Sequence, residues 1–145
     1  MSKPENPLLL RQRAASACVK MYAGKRLALG RHDCARLART CLHHMRVGVP
    51  FLKGIKWSGK TAEKTLAGLG FDCLMDAMDG TGLPRIAPAR ALVGDIIAMP
   101  AEDGSPYGCA LGVMLSNRQA LAFGDGVCRV GKPKEFLAAW SVSNV

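Results

Sequence analysis

Asp33-Cys34-Ala35-Arg36-Leu37-Ala38-Arg39-Thr40-Cys41-Leu42-His43-His44-Met45-Arg46 is the stretch that decides the fold. Counted from Cys34, the apolar residues Cys34, Leu37, Ala38, Cys41, Leu42 and Met45 fall at offsets 0, 3, 4, 7, 8 and 11, which is one continuous face of an α-helix. Asp33 suits the N-cap, because its short carboxylate can accept from the unpaired backbone N–H groups of the first turn. Gly48 and Pro50 end the element. Arg36, Arg39, His43 and Arg46 lie off the stripe and predict a wet, basic face.

Upstream, Leu10, Ala14, Ala17, Cys18 and Met21 recur at helical spacing and predict a helix over 7–22, with Arg11, Arg13 and Lys20 looking elsewhere and Gly24 as the stop. Downstream, shorter helices are expected at 61–68 and 72–78, followed by a loop marked by Gly80, Gly82, Pro84 and Pro88. From Asp95 the pattern changes to short apolar runs at 95–99, 109–115, 119–123 and 127–130, which read as antiparallel strands. Ser116-Asn117-Arg118 and Gly124-Asp125-Gly126 supply hairpin turns, since Asn and Gly accept positive φ. A last short helix is expected at 132–139 and an edge strand at 140–142. Helices first and a meander afterwards give a single α+β domain over 1–145, its helical half (1–80) packed on one face of an antiparallel sheet in the stranded half (92–145).

The chain of 145 residues is 49% hydrophobic and 21% charged, enough apolar material for one core. Its apolar runs fall far short of the ~20 residues needed to cross a bilayer, so no membrane insertion is expected. Residues 1–16 lack a signal-peptide core, and the six cysteines (Cys18, Cys34, Cys41, Cys73, Cys109, Cys128) therefore read as reduced thiols. Charge is uneven: residues 1–60 hold 13 Lys and Arg against two Asp and Glu, residues 61–145 seven against nine, so the halves stand at +11 and −2. Such a field favours an acidic partner. Arg36, Arg39 and Arg46, with Lys25, Arg26, Arg31, Lys53, Lys56 and Lys60, read as a docking face for a protein. Nucleic acid is not expected, because only Tyr22, Phe51 and Trp57 are there to stack on bases and no named module matches. Gly68-Leu69-Gly70 lacks the third glycine and the Lys-Ser/Thr of a phosphate loop.

Cys34 is the residue that could carry chemistry. A thiol in the first turn of a helix feels the positive end of the dipole, which favours the nucleophilic thiolate. The alternative is a buried structural cysteine, as Cys18, Cys41 and Cys73 are expected to be. Successive cysteines are 16, 7, 32, 36 and 19 residues apart, with no C-x₂-C pair. Cys41 with His44 would give two metal ligands and nothing supplies the rest, so no metal and no cofactor are expected.

Gly30-Arg31-His32-Asp33-Cys34-Ala35-Arg36-Leu37, then Gly94-Asp95-Ile96-Ile97, then Leu111-Gly112-Val113 resemble the NlpC-like cysteine peptidases, papain-like enzymes that cut peptidoglycan stem peptides. The chain is more closely similar to a branch of that superfamily encoded in phage and prophage tail gene clusters. The likeness runs from about Leu29 to Trp140-Ser141-Val142 and includes the stretch 57–70. It implies a papain-like, NlpC-type fold with Cys34 at the nucleophile position. In the active enzymes a His opens the segment that here reads Ala110-Leu111-Gly112, and an orienting polar residue follows near Ala122. A methyl group accepts no proton, and general-base help is worth about 10²- to 10⁴-fold. His43 and His44 lie nine and ten residues beyond Cys34, about 13 to 15 Å along a helix, and His32 sits in the loop before it. Cys34 is thus a vestigial nucleophile. The resemblance implies a virion protein, a tail-tip, baseplate or tail-assembly component made in the host cytoplasm, whose partners are other tail proteins, with peptidoglycan as a further candidate. The alternative is an active peptidoglycan-cutting cysteine peptidase with a non-standard base.

Overall fold

The computed structural model describes residues 6–52, 55, 57, 60–101, 105 and 107–142; Lys53 and Lys56 of the expected basic face lie outside them. Helix α1 spans Pro7–Tyr22, with Pro7 at its first turn and the Asn6 side chain accepting from Leu8 N–H at 2.9 Å. Helix α2 spans Cys34–His44 and is capped by Asp33 as its sequence predicts. It buries Cys34, Ala35, Leu37, Ala38, Cys41 and Leu42, and Met45 beyond it is buried too. Short helices α3 (Ala62–Gly68) and α4 (Leu74–Asp79) follow.

The buried stripe of α1 is Arg11, Ala14, Ala15, Cys18 and Tyr22, at offsets 0, 3, 4, 7 and 11. Ala14 and Cys18 of the expected stripe are buried and Leu10 and Ala17 half-buried, but the expectation fails at its other members: Met21 is 49% exposed, and Arg11, expected to face outward, is only 8% exposed. The reason is a partner. The Arg11 guanidinium donates to Asp95 Oδ1 at 2.8 Å, to the Val93 carbonyl at 3.0 Å and to the Val142 carbonyl at 2.9 Å, so its charge is neutralised where it is buried. Asp95 in turn accepts from the N–H groups of Val142 and Leu92, both at 2.8 Å.

Six strands form one antiparallel sheet: β1 (Arg85–Ile86), β2 (Ile96–Met99), β3 (Ala110–Met114), β4 (Ala120–Gly124), β5 (Val127–Gly131) and β6 (Ala138–Trp140), in the order β1-β6-β2-β3-β4-β5. The meander β2 to β5 matches the four apolar runs. Its last hairpin turns on Asp125 (φ 53°) and Gly126 (φ 78°), the paired left-handed residues of a two-residue turn. Two expectations fail at the other side. Residues 132–139 form no helix, and the closing strand is interior, because β6 pairs with both β2 and β1. Helix-forming residues at 134–139 yield to the unpaired edge of β2, whose Ala98 carbonyl takes the Leu137 N–H at 2.8 Å.

Alternation splits the sheet into two apolar faces. Ile96, Ala98, Leu111, Val113, Leu121, Ala138 and Trp140 join α1, α2 and α4 in the main core. Ile97, Met99, Met114, Ala120 and Ala139 form a second, smaller cluster, with Ile86, Ala91, Ala110, Ala122 and Phe136 against it. Gly112 lies on this far face, and a Cβ there would come within 2.9 Å of the Leu121 carbonyl and of Met99 Cε. The strand therefore has room for no side chain at that point.

Candidate functional site

The start of α2 is tied down through Asp33, which is fully buried. Its Oδ1 accepts from Arg36 N–H at 2.9 Å, closing the first turn, and its Oδ2 accepts from Gly30 N–H at 2.6 Å and from the Tyr107 hydroxyl at 2.5 Å. The Tyr107 oxygen in turn accepts from Trp57 Nε1 at 2.7 Å, and the two rings meet edge to face. Burial first, and the bond to the Asp33 carboxylate second, push the Tyr107 phenol well above its ordinary value, so it holds its proton and serves as a fixed donor.

Cys34 follows on the inner side of α2 and is 6% exposed. Burial pushes its thiol from an ordinary 9.0 up to about 12, the Asp33 and Cys109 charges push the same way, and a backbone hydrogen bond from Leu111 only partly opposes them. The helix terminus does not win. This reverses the sequence expectation of a favoured thiolate, because the stripe that gives the helix its place also takes the sulfur out of water. Cys109, pushed to about 12 by burial, carries the same inert form.

Ala110, matched in sequence to the base, does not face Cys34. In β3 the residues turned to the helices are Leu111 and Val113, while Ala110 belongs with the far-face cluster. Ala122, the match for the orienting residue, is on that far face as well. A histidine at either position would project to the wrong side of the sheet. The three histidines are engaged elsewhere: His32 is exposed and packs edge-on to Tyr22 at 6.3 Å, and His43 and His44 meet each other edge-on at 5.4 Å at the far end of α2.

Of the three arginines of the expected docking face, two are half-buried. Arg36 lays its guanidinium over the Trp57 ring at 4.6 Å, and its buried Nε has no hydrogen-bond partner among the described residues. Arg39 donates to the Leu52 carbonyl, and burial together with the neighbouring Arg36 charge lowers its pKa from the ordinary value. These two hold the segment after α2 against the helix. Arg46 is exposed, in the left-handed region at φ 58°. Among the described residues, no group of three or more His, Cys, Asp or Glu could hold a metal ion, and no helix is long and apolar enough to cross a membrane.

The residues that sequence reasoning missed here are Tyr107 and Arg11, together with the tie from Trp57 to Tyr107. No local pattern marks Tyr107, since its contact with Asp33 spans 74 positions. Arg11 could have been found, because the interval pattern of α2 recurs in α1 once a cation is allowed into the stripe.

A mixed domain results, with helices over an antiparallel sheet and a buried thiol at the start of α2. The chain belongs to the family described as Domain of unknown function (DUF6950), whose model matches residues 10–142. No curated protein and no solved structure matches it.

Proposed function

We propose that the chain is a non-catalytic domain of NlpC-like, papain-like architecture that serves a tailed phage or prophage as a tail-tip, baseplate or tail-assembly protein. The observation that carries the non-catalytic part is the Cys34 sulfur itself: buried, with a thiol raised to about 12, and lying under the Leu111 side of β3. A nucleophile needs an available thiolate and a base within reach. Cys34 has instead the surroundings of a core residue. The tail role rests on the ordered likeness of residues 30–37, 94–97 and 111–113 to tail-cluster proteins. The surplus of exposed cations in the helical half, Lys20, Lys25, Arg26 and Arg31 among them, suits an acidic neighbour in such an assembly.

Two measurements test the two parts. Purified protein incubated with muropeptides should release no new fragments by mass spectrometry, and Cys34→Ala should behave identically. Cleavage that vanishes in Cys34→Ala overturns the non-catalytic reading and makes the chain a peptidoglycan-cutting cysteine peptidase. A phage or prophage whose gene for this chain is deleted should yield particles with absent or incomplete tails. Intact, infectious tails without it overturn the assembly role.

A further inference from the structure

Of the six cysteines, five are buried and Cys73 alone is half-buried. It directly precedes α4, on extended backbone (φ −156°, ψ 173°). The chain entering β3 runs against it: Leu74 N–H donates to the Tyr107 carbonyl at 3.0 Å, and a Cβ on Gly108 would come within 2.7 Å of Cys73 Cβ. Glycine at φ 72° permits both the bend and the approach. Cys109 comes next and is 1% exposed. Its sulfur accepts from the N–H groups of Met75 and Leu74, the residues that follow Cys73, and hydrogen-bonds the Cys73 thiol itself. A disulfide spans only about 4.4–6.8 Å between Cα atoms, so it forms where two backbones run this close. We propose that Cys73 and Cys109 are a redox pair, oxidised by a peroxide to a reversible disulfide that staples the start of α4 to the entry of β3.

Exposure sets the order of events. A groove of about 470 Å³ has Asp72 and Gly108 in its wall, the residues preceding the two cysteines, so a small oxidant has room beside the pair. The Cys73 sulfur attacks one oxygen of the peroxide. An S–O bond forms, the O–O bond breaks, and the departing hydroxide leaves as water with the Cys73 proton. The resulting sulfenic acid faces the Cys109 sulfur, which attacks the Cys73 sulfur. An S–S bond forms, the S–O bond breaks, and the second hydroxide leaves as water with the Cys109 proton. Two thiols and one hydrogen peroxide thus give one disulfide and two waters. Cys109 is closed to solvent, but attack on a sulfur already held against it needs no solvent access.

The other thiols lack one half of this arrangement. Cys18 and Cys41 also share a hydrogen bond, yet neither has exposed surface. Cys34 lies close enough for its charge and that of Cys109 to interact, and it is buried as well. The proposed bond joins residues 36 positions apart and closes a loop that contains β1 and β2. It uses neither Cys34 nor a tail role, so it stands or falls apart from the proposed function.

The test treats the folded full chain with a slight excess of hydrogen peroxide, blocks free thiols by alkylation in denaturant, and maps the digest by mass spectrometry. A peptide pair joined through Cys73 and Cys109, two hydrogens lighter than the separate peptides, should appear, with Cys18, Cys34, Cys41 and Cys128 alkylated. Dithiothreitol should return both thiols. The linked chain should unfold about 5–10 °C higher than the reduced one. Cys73→Ser should form no link and leave Cys109 alkylated. Cys109→Ala should stop at the Cys73 sulfenic acid, captured by dimedone, and Cys34→Ala should link as the parent does. The inference is overturned if Cys73 passes to sulfinic acid while Cys109 remains a free thiol, or if other cysteines pair in its place. A link that needs Cys34 also overturns it, and a linked chain that unfolds no higher than the reduced one removes the staple.

Discussion

At the scale of single residues, Cys34 sets two effects against each other and magnitudes decide between them. A helix N-terminus is worth about 0.3–1 kcal/mol to a nearby negative charge. Raising a thiol from 9.0 to about 12 disfavours the thiolate by on the order of 4 kcal/mol. Burial therefore governs, and the sign of the pH dependence follows. Up to about pH 9 folded and unfolded chains both keep the proton; above it the unfolded thiol ionises first while the folded one resists up to about 12. Cys109 and Cys128 are raised to about 12 in the same direction by burial. Urea titrations should show stability falling between about pH 9 and 12, with a smaller fall in Cys34→Ala; an identical fall in both would place the sulfur in water. Tyr107 is the second test at this scale, because its hydroxyl both donates to Asp33 and accepts from Trp57. Tyr107→Phe keeps the ring and strands both partners, so it should cost about 1–3 kcal/mol in urea unfolding. A change of a few tenths would mean that water replaces the hydroxyl.

Whole elements were legible wherever a period repeats. The stripe of α2 and the runs of β2 and β3 could be read because they are buried almost throughout, those of β4 and β5 by the turn residues that bound them, and the start of α2 followed from Asp33. Leu37 sits in that stripe with no exposed surface. Leu37→Ala should cost about 2–5 kcal/mol by chemical denaturation, and a loss under 1 kcal/mol would mean that the helix does not cover β3. What could not be read has a physical cause in each case. Strand β1 is two residues long, Arg85 and Ile86, too short to show alternation. Strand β6 takes its conformation from the β2 edge, a partner about 40 residues earlier, against its own helical preference. The site divides the same way. The Asp33–Cys34 pair is a local signal of a helix start, whereas the facing of β3 depends on which alternate residue points to the helices, and that placed Leu111 rather than Ala110 on the side of Cys34.

Across the whole molecule, Arg11 joins parts of the chain that share no pattern: the first helix, the loop entering β2 and the residues after β6. Its three bonds reach Asp95 and the carbonyls of Val93 and Val142, across 84, 82 and 131 positions. Asp95 completes the knot by accepting from Leu92 and Val142. The helical half is thus fastened to both ends of the stranded half by one ion pair whose members are 9% and 1% exposed. A buried pair adds little to stability compared with a well-packed apolar substitute, but removing one member leaves the other charged and unpaired. Arg11→Ala should therefore cost about 3–5 kcal/mol, far more than the few tenths expected for an exposed cation such as Lys20. Arg11→Lys separates charge from geometry. Its ammonium keeps the attraction to Asp95 but lacks the planar fork that serves three acceptors from two nitrogens. The lysine variant should recover only part of the loss in thermal or urea unfolding. Full recovery would show that charge alone fastens the halves, and equality with the alanine variant would assign the whole effect to the guanidinium's fit.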